Sequence, residues 1–298
     1  MQKKSVNIIS HSNEGLASHR MRCVIPCEGL NLLGEYEAAV TEQPNYSKDV
    51  NIFHKHLKPE ENLYHALQIQ DLSKIIFDVC DDHFDKQHGN YYRMMCSYAH
   101  VITCNTANMQ QRIYEELGRL AQICSDPITF PYHEPSYSET PDIVWYGHAT
   151  NVFSIVPFFD RVDRLTVITN VRLPFHDKVR TKFWKPGLVE ETIHKYDVVV
   201  IPRINTPEAN KKSPNRAVDA LHAGRFVIAE SEEVYGELAG FIFLGTIEEG
   251  IEFYKNNPDK VLEMIKKGQE YVLDKYNHKE IAQQWARAIE YEDFTHYG

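Results

Sequence analysis

The densest chemistry in the sequence lies between Asp197 and Ala229, where an apolar run ending at Pro202 leads into a polar loop, a helical stretch, Gly224 and a second apolar run over 226–228. Ser213 has the side chain of an N-cap, Pro214 suits the first helical position, and Gly224 suits the residue beyond the last turn. A helix start placed there carries unpaired N–H groups and the positive end of the helix dipole. Lys211, Lys212, Ser213, Asn215 and Arg216 surround it, which is the donor set that a phosphate or diphosphate requires. Asp219 lies about one and a half turns further in, within reach of a hydroxyl beyond the phosphates. An ordinary capped helix with solvated cations has the same spacing, and both readings stay open.

A second cluster, Asp81, Asp82 and His83, follows an apolar run over 74–79, at the C-terminal end of an expected strand. Functional groups of α/β proteins collect at such ends. A carboxylate there can deprotonate a hydroxyl, and a histidine can donate to one. A divalent-metal site and a purely structural capping role are the other readings, although a strict Asp-x-Asp is missing. The loop after the first strand holds Gly15, His19, Arg20 and Arg22, and fits either an anion contact or a solvated loop. Gly147 and His148 follow one later strand and Asn170 ends another. His54 and His56 read as a solvated strand end rather than a zinc pair, because no partner ligands stand at a suitable spacing.

The elements that must carry these residues alternate along the whole chain. Strands are expected near 6–9, 49–54, 74–79, 101–104 and 121–124, with helices near 18–33, 60–70, 89–99 and 106–117. After a proline-punctuated stretch over 125–141, strands are expected near 143–146, 165–169, 181–184, 197–201, 226–229 and 241–244, with helices near 150–162, 188–195, 214–223, 233–239 and 247–256. Two terminal helices follow. The last begins at an Asn277-x-x-Glu280 capping box and repeats Ile281, Trp285 and Ile289 on one face, so it should dock rather than float. The pattern predicts an α/β protein of two doubly wound Rossmann-like domains facing a cleft, residues 1–135 and 136–298, the second including the terminal helices, with those helices docking across.

The 32 Lys and Arg against 42 Asp and Glu leave a net charge of −10, which argues against a broad nucleic-acid or polyanion surface and leaves a local phosphate site allowed. The six cysteines form no C-x-x-C pair and read as reduced thiols. The apolar run over 6–9 is too short for a secretion signal, and no stretch is long enough for a transmembrane span. A cytoplasmic protein is expected.

On these residues the chain resembles glycosyltransferases of the GT-B fold, in particular the family 4, group 1 type. In that group a strand ending in Pro leads through a loop to a helix containing Glu-Ala-x-x-x-Gly and then a strand of the Pro-Val-Ile type. Here residues 219–224 and 226–228 occupy those places, 233–238 resembles the next helix, and 142–147 resembles the opening strand and glycine turn of the second domain. The resemblance covers about 142–292 and is weaker before it. It implies transfer of a sugar from a nucleotide-sugar donor to a glycan or other hydroxyl acceptor, without a metal and with no cofactor beyond the donor substrate. By the same resemblance the donor contacts would be Gly147, His148, Asn170, Lys212, Ser213, Asn215, Arg216 and Asp219. Gly15, His19, Arg20 and Arg22 would lie on the acceptor side, and Asp82 and His83 would be the catalytic pair. Many members carry two acidic residues separated by seven others. The second falls on Asp219, the first on Lys211, and the basic residue after the glycine turn maps only to His148. A non-catalytic glycan- or nucleotide-binding relative and a nucleotide-sugar epimerase are the alternatives.

Overall fold

The computed structural model describes residues 2–11, 16–55, 58–206 and 208–292. It contains two parallel six-stranded sheets. The first is built from β1 (Lys4–Ile9), β2 (Tyr36–Thr41), β3 (Val50–His54), β4 (Lys74–Val79), β5 (Val101–Cys104) and β6 (Gln122–Ile123), in the order β2-β1-β3-β4-β5-β6. The second is built from β7 (Ile143–Tyr146), β8 (Leu165–Thr169), β9 (Val179–Phe183), β10 (Val198–Ile201), β11 (Phe226–Ala229) and β12 (Phe243–Leu244), in the order β12-β11-β10-β7-β8-β9. Every residue of β3, β5, β8, β10 and β11 is buried, as expected for parallel strands covered on both faces by crossover helices.

The chain divides into two compact units. The first comprises residues up to Pro127, together with Lys211–Ser213 and the chain from Tyr276 onward; the second comprises Ile128–Asn210 and Pro214–Lys275. The division expected near 135 keeps both terminal helices with the second domain. The last helix, His278–Glu290, instead belongs to the first unit, where Ile281, Trp285 and Ile289 are fully buried in the core under β1 and β3. Its N-cap is as predicted, with Asn277 accepting from the Glu280 amide at 2.9 Å. Gly29 of the helix Ile25–Leu33 lies against this helix: a Cβ there would sit 2.7 Å from that of Ala282.

Two elements differ from expectation. β2 carries no sequence signal, because Glu37, Ala38 and Ala39 are poor strand formers and only Tyr36 of the strand is buried; it forms by pairing with β1. The helix expected over 150–162 is replaced by 3₁₀ turns at Ala149–Ser154 and Val156–Phe158, since Pro157 removes an N–H and disfavours α geometry at the residue before it.

Candidate functional site

In each sheet the chain leaves the middle in both directions, and at such a switch point the loops at the strand ends diverge and leave room for a ligand. In the first sheet that point lies between β1 and β3, in the second between β7 and β10.

Beyond β1 in the first unit, Ser10 Oγ is 2.9 Å from His19 Nδ1, and the chain enters a π-helical segment, Arg20–Val24. The wider turn carries Arg22 inward, where it is 1 % exposed. Its Nη2 and Nε donate to the two oxygens of Asp78 at 2.6 and 3.1 Å, and its Nη1 donates to Asp126 Oδ1 at 3.1 Å and to the Cys124 carbonyl. The guanidinium also lies 5.1 Å over the Trp285 ring. Arg22 therefore does not reach an acceptor from a loop; the π turn points it into the sheet, where it ties β4 to the chain after β6. His19 and Arg20 stay half-buried at the surface. Gly15 lies outside the described residues.

Asp78 also accepts from Thr103 Oγ1 at 2.9 Å and sits 2.9 Å from His54 Nδ1. Burial alone would raise the Asp78 carboxyl, but Arg22 and His54 outweigh it and hold the carboxyl well below the usual carboxylate range. Burial also dominates at His54 and pushes the imidazole down despite Asp78, so the ring is neutral near pH 7 and donates from Nδ1, leaving Nε2 buried and without a partner. The expectation of a solvated end at His54 fails, because the ring is buried in this network; His56 lies outside the described residues. Among the described residues His54, Asp78 and Cys80 bring potential metal-ligand atoms within 4.8 Å of one another. The Arg22 guanidinium already neutralises Asp78 from the other side, so a cation there would meet a buried positive charge.

The Asp81–His83 cluster stands at the end of β4, where the strand places it. Asp82 is buried; its carboxylate accepts from the Phe84 amide at 3.2 Å, from Arg112 Nε at 3.2 Å and from Lys211 Nζ at 3.1 Å. Burial opposes its ionisation, but Lys211, the Phe84 amide and Arg112 prevail and keep it ionised below the ordinary range. Lys55 Nζ lies 3.1 Å from Asp81, and Thr106 Oγ1 donates to the Lys211 carbonyl at 3.0 Å. His83 is half-buried against the Tyr92 ring, 5.2 Å between centroids, and burial pushes its imidazole down more than Asp81 raises it.

In the second unit, Gly147 follows β7, and a Cβ there would lie 2.9 Å from the Trp145 ring, so only glycine fits without displacing that buried side chain. His148 Nδ1 accepts from the Thr150 amide at 3.3 Å, and Asn170 Oδ1 accepts from the Ala149 amide at 2.8 Å, fixing the turn. The helix after β10 runs Asn215–His222; it begins one residue later than Pro214 at N1 would place it, and no side chain caps it. Arg216 stands in its first turn, with Nη1 3.5 Å from the Tyr146 carbonyl, while the Tyr146 hydroxyl donates to the Arg216 carbonyl at 3.0 Å. These two contacts hold the helix start at the end of β7. Asp219 is buried, and its carboxylate accepts from the Thr129 amide at 2.6 Å, from Thr129 Oγ1 at 2.9 Å and from the Phe130 amide at 3.3 Å. Lys212 and Ser213 group with the first unit, Asn215 and Arg216 with the second.

Sequence reasoning missed Asp78, Lys55 and Asp126. One signal points to the first of them: Asp78 interrupts an apolar strand run, and a carboxylate there must be paired.

No protein-family model and no curated protein matches the sequence. Solved structures do match over nearly the whole chain. HepE of Anabaena in complex with UDP-glucose superposes with a TM-score of 0.69 at 13 % identity, covering 96 % of this chain and 99 % of that one. The fold is GT-B. An alpha-glucosyltransferase in complex with UDP-glucose and DNA containing an abasic site gives 0.67 at 8 % identity, covering 97 % and 99 %. The lipopolysaccharide outer core galactosyltransferase WaaB gives 0.63 at 10 % identity over the same shares. Among the described residues of this GT-B chain, no helix is long and apolar enough to cross a membrane.

Proposed function

We propose that the chain is a glycosyltransferase that moves a sugar from a nucleotide-sugar donor to a glycan or other acceptor hydroxyl. The observation that carries this reading is the start of the helix Asn215–His222, held by Arg216 and Tyr146 at the switch point of the second sheet beside Gly147. The positive end of the helix dipole, an arginine and a turn without a Cβ suit the diphosphate of the donor. The binding of UDP-glucose by GT-B structures of the same architecture supports it.

Arg216, with the helix dipole, would offset the charge that grows on the leaving diphosphate, a task a divalent ion performs in other sites. In the first unit, His83 is the neutral group available to position or deprotonate a reacting hydroxyl. Asp82 would hold the surrounding cations rather than take a proton, since its ion pairs make it a weak base. All six cysteines are free and buried, which supports a reducing, cytoplasmic setting.

The ion pairing of Asp82 also favours a second reading, a GT-B protein that binds a nucleotide or glycan without transfer. Incubation with UDP-, GDP-, ADP-, CMP- and dTDP-sugars separates the two. Transfer or slow nucleotide release with one donor, persisting in a chelator, supports the enzyme; thermal stabilisation without release supports the binding protein; no response to any donor refutes both. Arg216→Ala should weaken binding of the responding nucleotide about tenfold. It should shift the melting temperature by only about a degree or two, and equal losses of binding and stability would make Arg216 structural.

A further inference from the structure

We propose that the outer edge of the second sheet, residues 171–185, docks on an anionic lipid surface. Among the described residues β9 pairs only with β8 and so forms the edge of its sheet. Val179 is its one buried residue, and the next four, Arg180 to Phe183, are exposed. The segment carries Arg172, Lys178, Arg180, Lys182 and Lys185 against the single carboxylate of Asp177, in a chain whose net charge is −10. Of these five cations only Arg180 has a carboxylate within ion-pairing range among the described residues, Asp142 at 3.7 Å. Lys182 donates instead to the Tyr196 hydroxyl at 2.8 Å, and Lys178 to the Asp160 carbonyl at 3.4 Å.

Large apolar side chains stand among these charges. Phe175 is 94 % exposed, more than any other large hydrophobic residue described, and Phe183 is 55 % exposed. Exposed phenyl rings in a segment where four of the five cations have no carboxylate partner among the described residues match the two layers of an anionic leaflet: headgroup phosphates for the ammonium and guanidinium groups, acyl chains for the rings.

Two other occupants fit less well. A nucleic acid would engage the same cations through its phosphates, but an isolated phenyl ring such as Phe175, 94 % exposed, gains nothing against a duplex backbone. A second copy pairing edge to edge would bring Arg180 and Lys182 against their own like charges, which is how edge strands avoid such pairing.

The test is co-sedimentation of the full chain with vesicles of phosphatidylcholine alone and of phosphatidylcholine with about one third phosphatidylglycerol, at low and high salt. Binding to the anionic vesicles only, reduced by salt, is expected. Phe175→Ser should reduce that binding about tenfold and Arg172→Glu/Lys185→Glu should abolish it, with melting temperatures unchanged. Absence of binding at low salt overturns the proposal, and so does binding that both variants retain. A duplex-DNA mobility shift lost in the same variants without vesicle binding would assign the edge to nucleic acid and overturn it. A concentration-dependent dimer dissolved by Phe175→Ser without vesicle binding would overturn it in favour of a second copy. Donor turnover enters none of these outcomes, so the test is independent of the transferase reading.

Discussion

Replacing Asp78 by Asn removes one charge from the centre of the first unit and leaves the shape nearly unchanged. The native carboxylate is fully buried and receives four donors: Nη2 and Nε of Arg22, Nδ1 of His54 and Oγ1 of Thr103. An amide in its place accepts at one atom and turns N–H groups toward the remaining donors. Breaking a buried ion pair by removing one partner costs about 3–5 kcal/mol. Asp126, 3.1 Å from Arg22 Nη1, retains part of the compensation, which places the expected loss near 3 kcal/mol. Trp285 lies under the Arg22 guanidinium and reports on this site directly. In a background with Trp145→Phe and Trp184→Phe it is the sole tryptophan, because the chain has three. Urea unfolding followed by its fluorescence should show the midpoint falling by about 1–1.5 M. In a cycle with Arg22→Met, the double variant should lose at least about 2 kcal/mol less than the sum of the singles, because the second change removes the charge that the first left unpaired. A midpoint shift under about 0.4 M, or strict additivity, would refute the claim that this pair holds the strands together.

Stability should fall as the pH drops below about 6.5, the range in which an unfolded histidine takes up a proton that buried His54, its folded pKa lowered, does not. The slope from that one group is at most about 1.4 kcal/mol per pH unit, and His54→Gln should remove its share in pH-dependent urea titrations, whereas an unchanged profile would place the effect elsewhere. Gly224→Ala forces a Cβ at φ +69° to within 2.5 Å of the His133 carbonyl oxygen, so a loss of at least about 2 kcal/mol is expected, seen as a melting temperature lower by about 5 °C. A variant that melts like the parent would show that the 133–134 backbone moves aside freely.

Local patterns are legible in the amino-acid order alone. The apolar runs that form β7, β8, β10 and β11 match the expected strands closely, because burial on both faces leaves an uninterrupted apolar signal. The cap at Asn277 is equally plain, since an N-cap is a contact between residues three apart. β2 is not legible, because its residues are neutral toward strand formation and its register comes from β1. The turn at Gly147 and the cationic helix start after β10 are likewise readable as local features.

What the sequence by itself determined is therefore the two doubly wound sheets and the positions of their strand-end loops, both written in periodicity and punctuation over short windows. What only the tertiary structure decided is which charges neutralise one another. Arg22 finds Asp78 at a separation of 56 residues and Asp126 at 104, and Ser125 is held by Gln284 at 159. Lys211, 129 residues beyond Asp82 in the chain, ion-pairs with it and alters its chemistry. A buried charge must find a partner, but its own neighbourhood in the sequence does not say which one; that is settled when the strands align and bring distant strand ends within hydrogen-bonding distance.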